Sequence, residues 1–175
     1  MPNGQSVSTL TTENGLSPFV WLNSANLMRM VEIVGDDFVN IWPEHRAKIL
    51  ENQGELLHSL KQLNAKQQQQ LFDADIDSVI ILDIALEDFV RANDLFVLDR
   101  KFKANLDWNE NDIQQIAQWY EEEPEVWILT TRAVNKQLQD LLPTGISVLR
   151  IDPVDRWGRG IDKHSPLKRW ELGLD

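Results

Sequence analysis

Apolar residues recur at steps of three and four within much of residues 19–122, then give way to two short aliphatic runs. Steps of three and four line one face of an α-helix, whereas short aliphatic runs between turn residues fit buried strands. Residues 1–17 are mostly Ser, Thr, Asn, Gly and Gln and read as a flexible leader. Pro18-Phe19-Val20-Trp21-Leu22 opens the ordered part. Asn23 or Ser24 is placed to cap a short helix to Val34, its apolar residues being Leu27, Met28, Met30, Val31 and Val34. Gly35 and Asp36 are its expected break, and Phe38–Trp42 is a short apolar segment redirected by Pro43.

Pro43 suits the first turn of a second helix. Ile49, Leu50, Leu56, Leu57, Leu60 and Leu63 give it an amphipathic face. Asn64 and Gln67 have the spacing of a capping box, which predicts a separate helix over 65–72. Asp73, Asp75 and Asp77 mark a turn, with Ser78 as a cap. The segment Val79 to Val90 carries two signals. Its β-branched start fits a strand, but Leu82, Ala85, Leu86, Phe89 and Val90 have helical spacing. It is read as a buried helix to Asn93. Asp107 and Glu110 fit another capping box, opening a helix to Glu122 with Ile113, Ile116, Ala117 and Tyr120 inward.

The pattern then changes. Val126–Thr130 and Ile146–Ile151 are strand candidates, and Thr131 is placed to cap a helix over 133–142 between them. Strand, helix and strand make a compact βαβ-like unit. Two strands do not make a stable sheet, so a third is expected from Leu95–Leu98 or Phe19–Leu22. The fold class is therefore α+β, mainly α-helical in residues 19–122, with a small sheet near 126–151. The domain reading is a leader over 1–17, a single globular domain over 18–152, and a basic, Trp-containing tail over 153–175.

Composition changes this picture in one respect. The net charge is −11, and residues 71–128 carry 15 acidic against 4 basic side chains, so the remainder of the chain is neutral. Such a field attracts basic partners and repels phosphate backbones. The chain has no cysteine, which excludes disulfides, a thiolate nucleophile and a cysteine zinc site. No signal-peptide pattern or membrane-length apolar run is present, so cytoplasmic localisation is the default expectation.

Candidate chemistry is sparse. Asp73, Asp75 and Asp77 resemble the start of a calcium loop, but Ser78 and Ile84 stand where such a loop needs Gly and Glu. His45 and His58 are not at the spacing of a helical metal pair, and a Ser beside His164 is not a catalytic pair. Neither a metal nor a cofactor is expected. Carboxylate pairs among Asp83, Asp88, Asp94 and Asp99 are a weak nuclease-like signal. Thr130, Thr131 and Arg132 form the turn after the first strand of the βαβ-like unit and offer hydroxyls, helix-start amides and one guanidinium to a ligand. The tail interleaves basic residues with Trp. Arg156, Trp157, Arg159, Lys168, Arg169 and Trp170 are its candidate partner-binding residues.

These features point to a non-enzymatic protein-interaction or regulatory domain whose acidic surface meets another protein with a basic surface. The alternatives are an acidic inhibitor, immunity protein or nucleic-acid mimic; a subunit of a helical transcription regulator; and a small enzyme with a phosphate-ligand site at Thr130–Arg132. For the regulator alternative, Leu60, Leu63, Gln67 and Leu71 resemble, over residues 60–71, helical regulators of the flagellar master-regulator type. Direct nucleic-acid binding by this chain alone is not expected.

Overall fold

The computed structural model describes residues 6–12, 15–104, 107–155 and 166–174. The first ordered element is a small antiparallel pair, β1 (Thr11–Thr12) and β2 (Gly15–Leu16), within the stretch expected as leader. Just before it, the Ser8 N–H donates to Asn26 Oδ1 at 2.9 Å, and Asn26 Nδ2 donates back to the Ser8 carbonyl at 2.7 Å. Residues Val20–Leu22 form a 3-10 turn rather than a strand.

Two helices follow as a hairpin. α1 spans Ser24–Ile41, with Asn23 Oδ1 accepting the N–H groups of Ala25 and Asn26. It runs through Gly35 and Asp36, where a break was expected. At Gly35 the side chain of Gln53 from α2 lies close. A Cβ at this position would run into the side-chain amide of Gln53, which donates to the carbonyls of Val31 and Glu32 at 3.3 and 3.1 Å. α2 spans Arg46–Asp73 as one 28-residue helix, not two helices divided at Asn64. Its buried residues Leu60, Gln67 and Leu71 hold one face across the expected boundary, so packing continues where local capping chemistry suggested a stop.

The second half is a four-stranded parallel sheet. β3 (Ser78–Ile81), β4 (Phe96–Arg100), β5 (Trp127–Thr130) and β6 (Ser147–Arg150) lie in the order β4-β3-β5-β6. The fold is α+β as expected, but the sheet reaches back to residue 78. The segment expected as a buried helix to Asn93 divides into β3, a 3-10 turn at Ile84–Leu86, and the short helix α3 (Glu87–Ala92). Val79, Ile80 and Ile81 are completely buried because both faces of a central parallel strand are covered. The helical spacing from Ala85 to Val90 belongs to the turn and α3 alone. Of the two candidate third strands, 95–98 is the one that joins, through Phe96–Leu98 of β4.

Alternation along the sheet divides the core. Val79, Ile81 and Leu129 pack with Leu71, Phe89 and Val90 on one face. Ile80 and Ile128 pack on the other with Ile116 of α4 (Glu110–Glu122) and Leu138 of α5 (Lys136–Leu141). The α4 capping box is Asn109 with Asp112, two residues beyond the expected Asp107 and Glu110. α5 starts later than expected because Asn135, not Thr131, caps it, accepting the Leu138 N–H at 2.8 Å. Among the described residues no helix is long and apolar enough to cross a membrane.

Candidate functional site

The order β4-β3-β5-β6 means that the chain leaves β3 toward one edge of the sheet and leaves β5 toward the other. The connecting helices diverge as well: α3 packs on one face and α5 on the opposite face. A crevice opens where crossovers diverge, outside the carboxyl ends of the strands, and that is where open parallel sheets bind ligands. Here the divergence falls between β3 and β5. The residues just past the strand ends are Leu82-Asp83, Thr131-Arg132 and Ile151-Asp152.

Two adjoining hollows occupy this edge, of ≈330 and ≈530 Å³. They share Asp83, Ile84, Arg132 and Ala133. Phe102, Lys103, Trp108 and Thr130 line the smaller one. Phe19, Thr131, Arg150, Asp152, Asp155 and Arg169 line the larger.

Asp83 stands at the centre. Its Oδ1 accepts the Ala85 N–H at 3.0 Å, and its Oδ2 accepts the Thr131 hydroxyl at 2.5 Å. The Arg132 Nε lies 3.9 Å from Oδ2, on a side chain that is 75% exposed. Thr130 is buried, and its hydroxyl serves the local turn, donating to the Arg132 carbonyl and accepting the Arg132 N–H. At the rim, Arg169 donates to both carboxylate oxygens of Asp152, from Nε at 2.8 Å and Nη2 at 2.7 Å. The Val154 N–H adds a third bond to Asp152 at 2.8 Å.

The Arg169 hydrogen bonds hold the Asp152 carboxyl below the usual carboxylate range against the opposing effect of burial, with help from the Val154 N–H and the charges of Arg169 and Arg150. Arg169 is raised in turn, chiefly by its bond to Asp152. On the far flank, Lys103 Nζ lies 2.8 Å from both oxygens of Asp112 and lowers that carboxyl by hydrogen bonding.

The expected ligand turn, Thr130 to Arg132, thus sits in the crevice. Thr131 turns its hydroxyl to Asp83 instead of capping a helix. Of the expected tail residues, Arg156, Trp157 and Arg159 lie outside the described residues. Lys168 is exposed, Arg169 clamps Asp152, and the Trp170 carbonyl accepts from Gln67 Nε2. Asp83, Arg150, Asp152, Lys103 and Trp108 complete the crevice and were not singled out for it. Asp83 and Asp152 each follow an aliphatic strand directly, a signal hidden for Asp83 by the helical reading of 79–93.

The acidic block does not form one outward face. Glu87, Asp88 and Asp112 are buried, and Glu87, Asp99 and Asp112 pair with Arg100, Lys101 and Lys103. Among the described residues no three His, Cys, Asp or Glu side chains come together as a metal site. His45 and His58 are exposed and line neither hollow.

No family model and no curated protein matches the sequence. Solved structures are similar in fold. The metal-dependent lipoprotein YcdH from Bacillus subtilis superposes with a TM-score of 0.75 at 13% identity, over 90% of this chain and 60% of that one. The Zn(II)-bound ZnuA-like domain of Streptococcus pneumoniae AdcA gives 0.71 at 14% identity, over 89% of this chain and 60% of that one. ZnuA gives 0.67 at 18% identity, over 85% and 59%. The chain thus spans about 60% of the length of these proteins. The expected acidic interaction or regulatory domain does not hold. The chain shares its fold with metal-dependent and zinc-bound proteins, and the acids on which that expectation rested are partly buried or paired.

Proposed function

We propose that this chain is a lobe of a solute-binding protein that serves transport, with the crevice at the carboxyl edge of its sheet as its share of the ligand site. The observation that carries the reading is the likeness in fold to YcdH, AdcA and ZnuA over 85–90% of the chain, a span that leaves little of the domain outside it. The crevice supports it independently. It lies at the divergence of the crossovers, its larger hollow of ≈530 Å³ suits a small solute, and charged and hydroxyl groups converge there. The description of YcdH as a lipoprotein supports an extracytoplasmic setting in place of the cytoplasmic default.

The cargo of the zinc-bound neighbours does not fit the described residues. Zinc is held by imidazole, thiolate and carboxylate. The chain has no cysteine, its described histidines lie away from the crevice, and no three candidate ligands gather among the described residues. The described residues of this chain therefore supply no complete zinc site of their own.

Trp108, which lines the smaller hollow, supplies an optical probe. Tryptophan emission is followed while the full chain is titrated with divalent metal chlorides, carboxylic acids, inorganic phosphate and amino acids. The reading predicts a saturable change with one class of solute that is lost in Trp108→Phe. No saturable response to any class contradicts it. Cell fractionation of the native producer checks the setting, and recovery in the cytoplasm alone contradicts the extracytoplasmic placement.

A further inference from the structure

A count of donors and acceptors at the crevice separates its carboxylates from its guanidiniums. Both oxygens of Asp83 already accept, one from the Ala85 N–H and one from the Thr131 hydroxyl. Both oxygens of Asp152 accept from Arg169, and one also takes the Val154 N–H. Asp155 has a partner as well. A carboxylate can accept about four such bonds, so these contacts use part of the capacity of Asp83 and most of that of Asp152.

The cationic side is different. The Arg132 guanidinium is mostly exposed and, among the described residues, has only its 3.9 Å approach to Asp83. Arg150 is exposed, and its guanidinium lowers the proton affinity of Asp152 through its charge, with no side-chain ion pair or hydrogen bond among the described residues. Thr130 is the register partner of Arg150, so Arg132 leaves the neighbouring strand two positions beyond that pairing. Both arginines line the same hollow of ≈530 Å³. Across the two hollows four basic side chains face three acidic ones, in a chain whose net charge is −11. The acidic character of the molecule reverses at this place. Guanidinium suits oxyanions because its N–H groups match two oxygens at once.

Resting on the reading of the crevice as a ligand site, we infer that its ligand is a small solute bearing an oxyanion, carboxylate or phosphate, gripped between Arg132 and Arg150. Asp83 and Asp152 hold the surrounding turns and the Arg169 clamp in place, and Thr131 orients Asp83.

The test titrates the full chain with citrate, inorganic phosphate and zinc chloride in separate arms, read by melting temperature and calorimetry. Citrate or phosphate is expected to raise Tm and bind saturably, and the two arms decide between carboxylate and phosphate. Arg132→Gln/Arg150→Gln is expected to weaken that binding by roughly tenfold or more, the size of a lost charge-assisted hydrogen bond. Its unliganded circular dichroism is expected to be unchanged, since neither side chain holds the fold. Arg132→Lys keeps the charge and is expected to retain part of the affinity. Oxyanion binding that survives the double substitution overturns the inference, because the site then lies elsewhere. Zinc binding that Asp83→Asn abolishes, with no oxyanion effect, overturns the inference but leaves the crevice as the ligand site. No effect of any of the three solutes overturns the inference. Only silence across the wider fluorescence panel also removes the site.

Discussion

Thr131 reaches from the end of β5 to Asp83 at the end of β3, and this one hydroxyl bridges the gap in which the crevice opens. Thr131 is buried, so Thr131→Val keeps the shape but leaves Asp83 Oδ2 without its donor. The expected loss is about 2 kcal/mol of unfolding free energy in urea, the cost of stranding a charged acceptor. A loss below about 0.5 kcal/mol contradicts the bridge. The Asp152–Arg169 clamp makes a prediction that depends on pH. Asp152 is held below its ordinary value when folded, so the stability it contributes is present above the unfolded pKa of about 3.9 and is lost as pH falls through the lower folded value. The carboxylate side chain is 39% exposed, and water screens the pair. Asp152→Asn is therefore expected to cost only about 1 kcal/mol near pH 6. The gap between the two proteins should close as pH falls through the acid range, read from urea midpoints at each pH. A gap independent of pH contradicts the assignment. At this scale the strand before Thr130 was legible, and with it the position of Thr130, Thr131 and Arg132 at the carboxyl edge of the sheet. The partner of Thr131 was not, since Asp83 lies 48 positions away in sequence.

Among the elements, α2 and the segment 79–93 show where local patterns fail. The Asn64–Gln67 spacing satisfies the rule for a helix start, yet the buried face of α2, with Leu60, Gln67 and Leu71, passes through it. Packing against α1, the Gln67 bond to the Trp170 carbonyl and the burial of Leu71 in the core outweigh a capping preference of about 1 kcal/mol. Ala65→Pro distinguishes the two arrangements. Proline is welcome at the first position of a new helix but costs about 3 kcal/mol inside a continuous one. Ala65 is exposed, so the change does not disturb the core. The structure predicts the larger loss in thermal or urea unfolding, and a loss under about 1 kcal/mol contradicts one continuous α2. Residues 79–93 misled for a related reason. A fully buried parallel strand shows no alternation, and the turn and short helix after it supply genuine three- and four-residue steps. The strands of the βαβ-like unit, β5 and β6, were legible because Pro and Gly isolate their aliphatic runs.

For the whole molecule, charge balance was the least reliable guide. A surplus of −11 located in residues 71–128 is real, but linear position does not say which way a carboxylate points. Buried Glu87, Asp88 and Asp112, and the pairs with Arg100, Lys101 and Lys103, break the block up. Strand order matters more, since β4-β3-β5-β6 alone determines where the crossovers part, and no local pattern encodes it. The claim that unites fold and function is that the carboxyl edge of this sheet is where a solute binds. Backbone amide chemical shifts of the full chain, recorded by NMR during titration with citrate, phosphate or zinc chloride, test it directly. The account predicts saturable shifts grouped at residues 82–85, 130–133 and 150–155. Shifts confined to the α1–α2 hairpin, or spread without grouping, would contradict it.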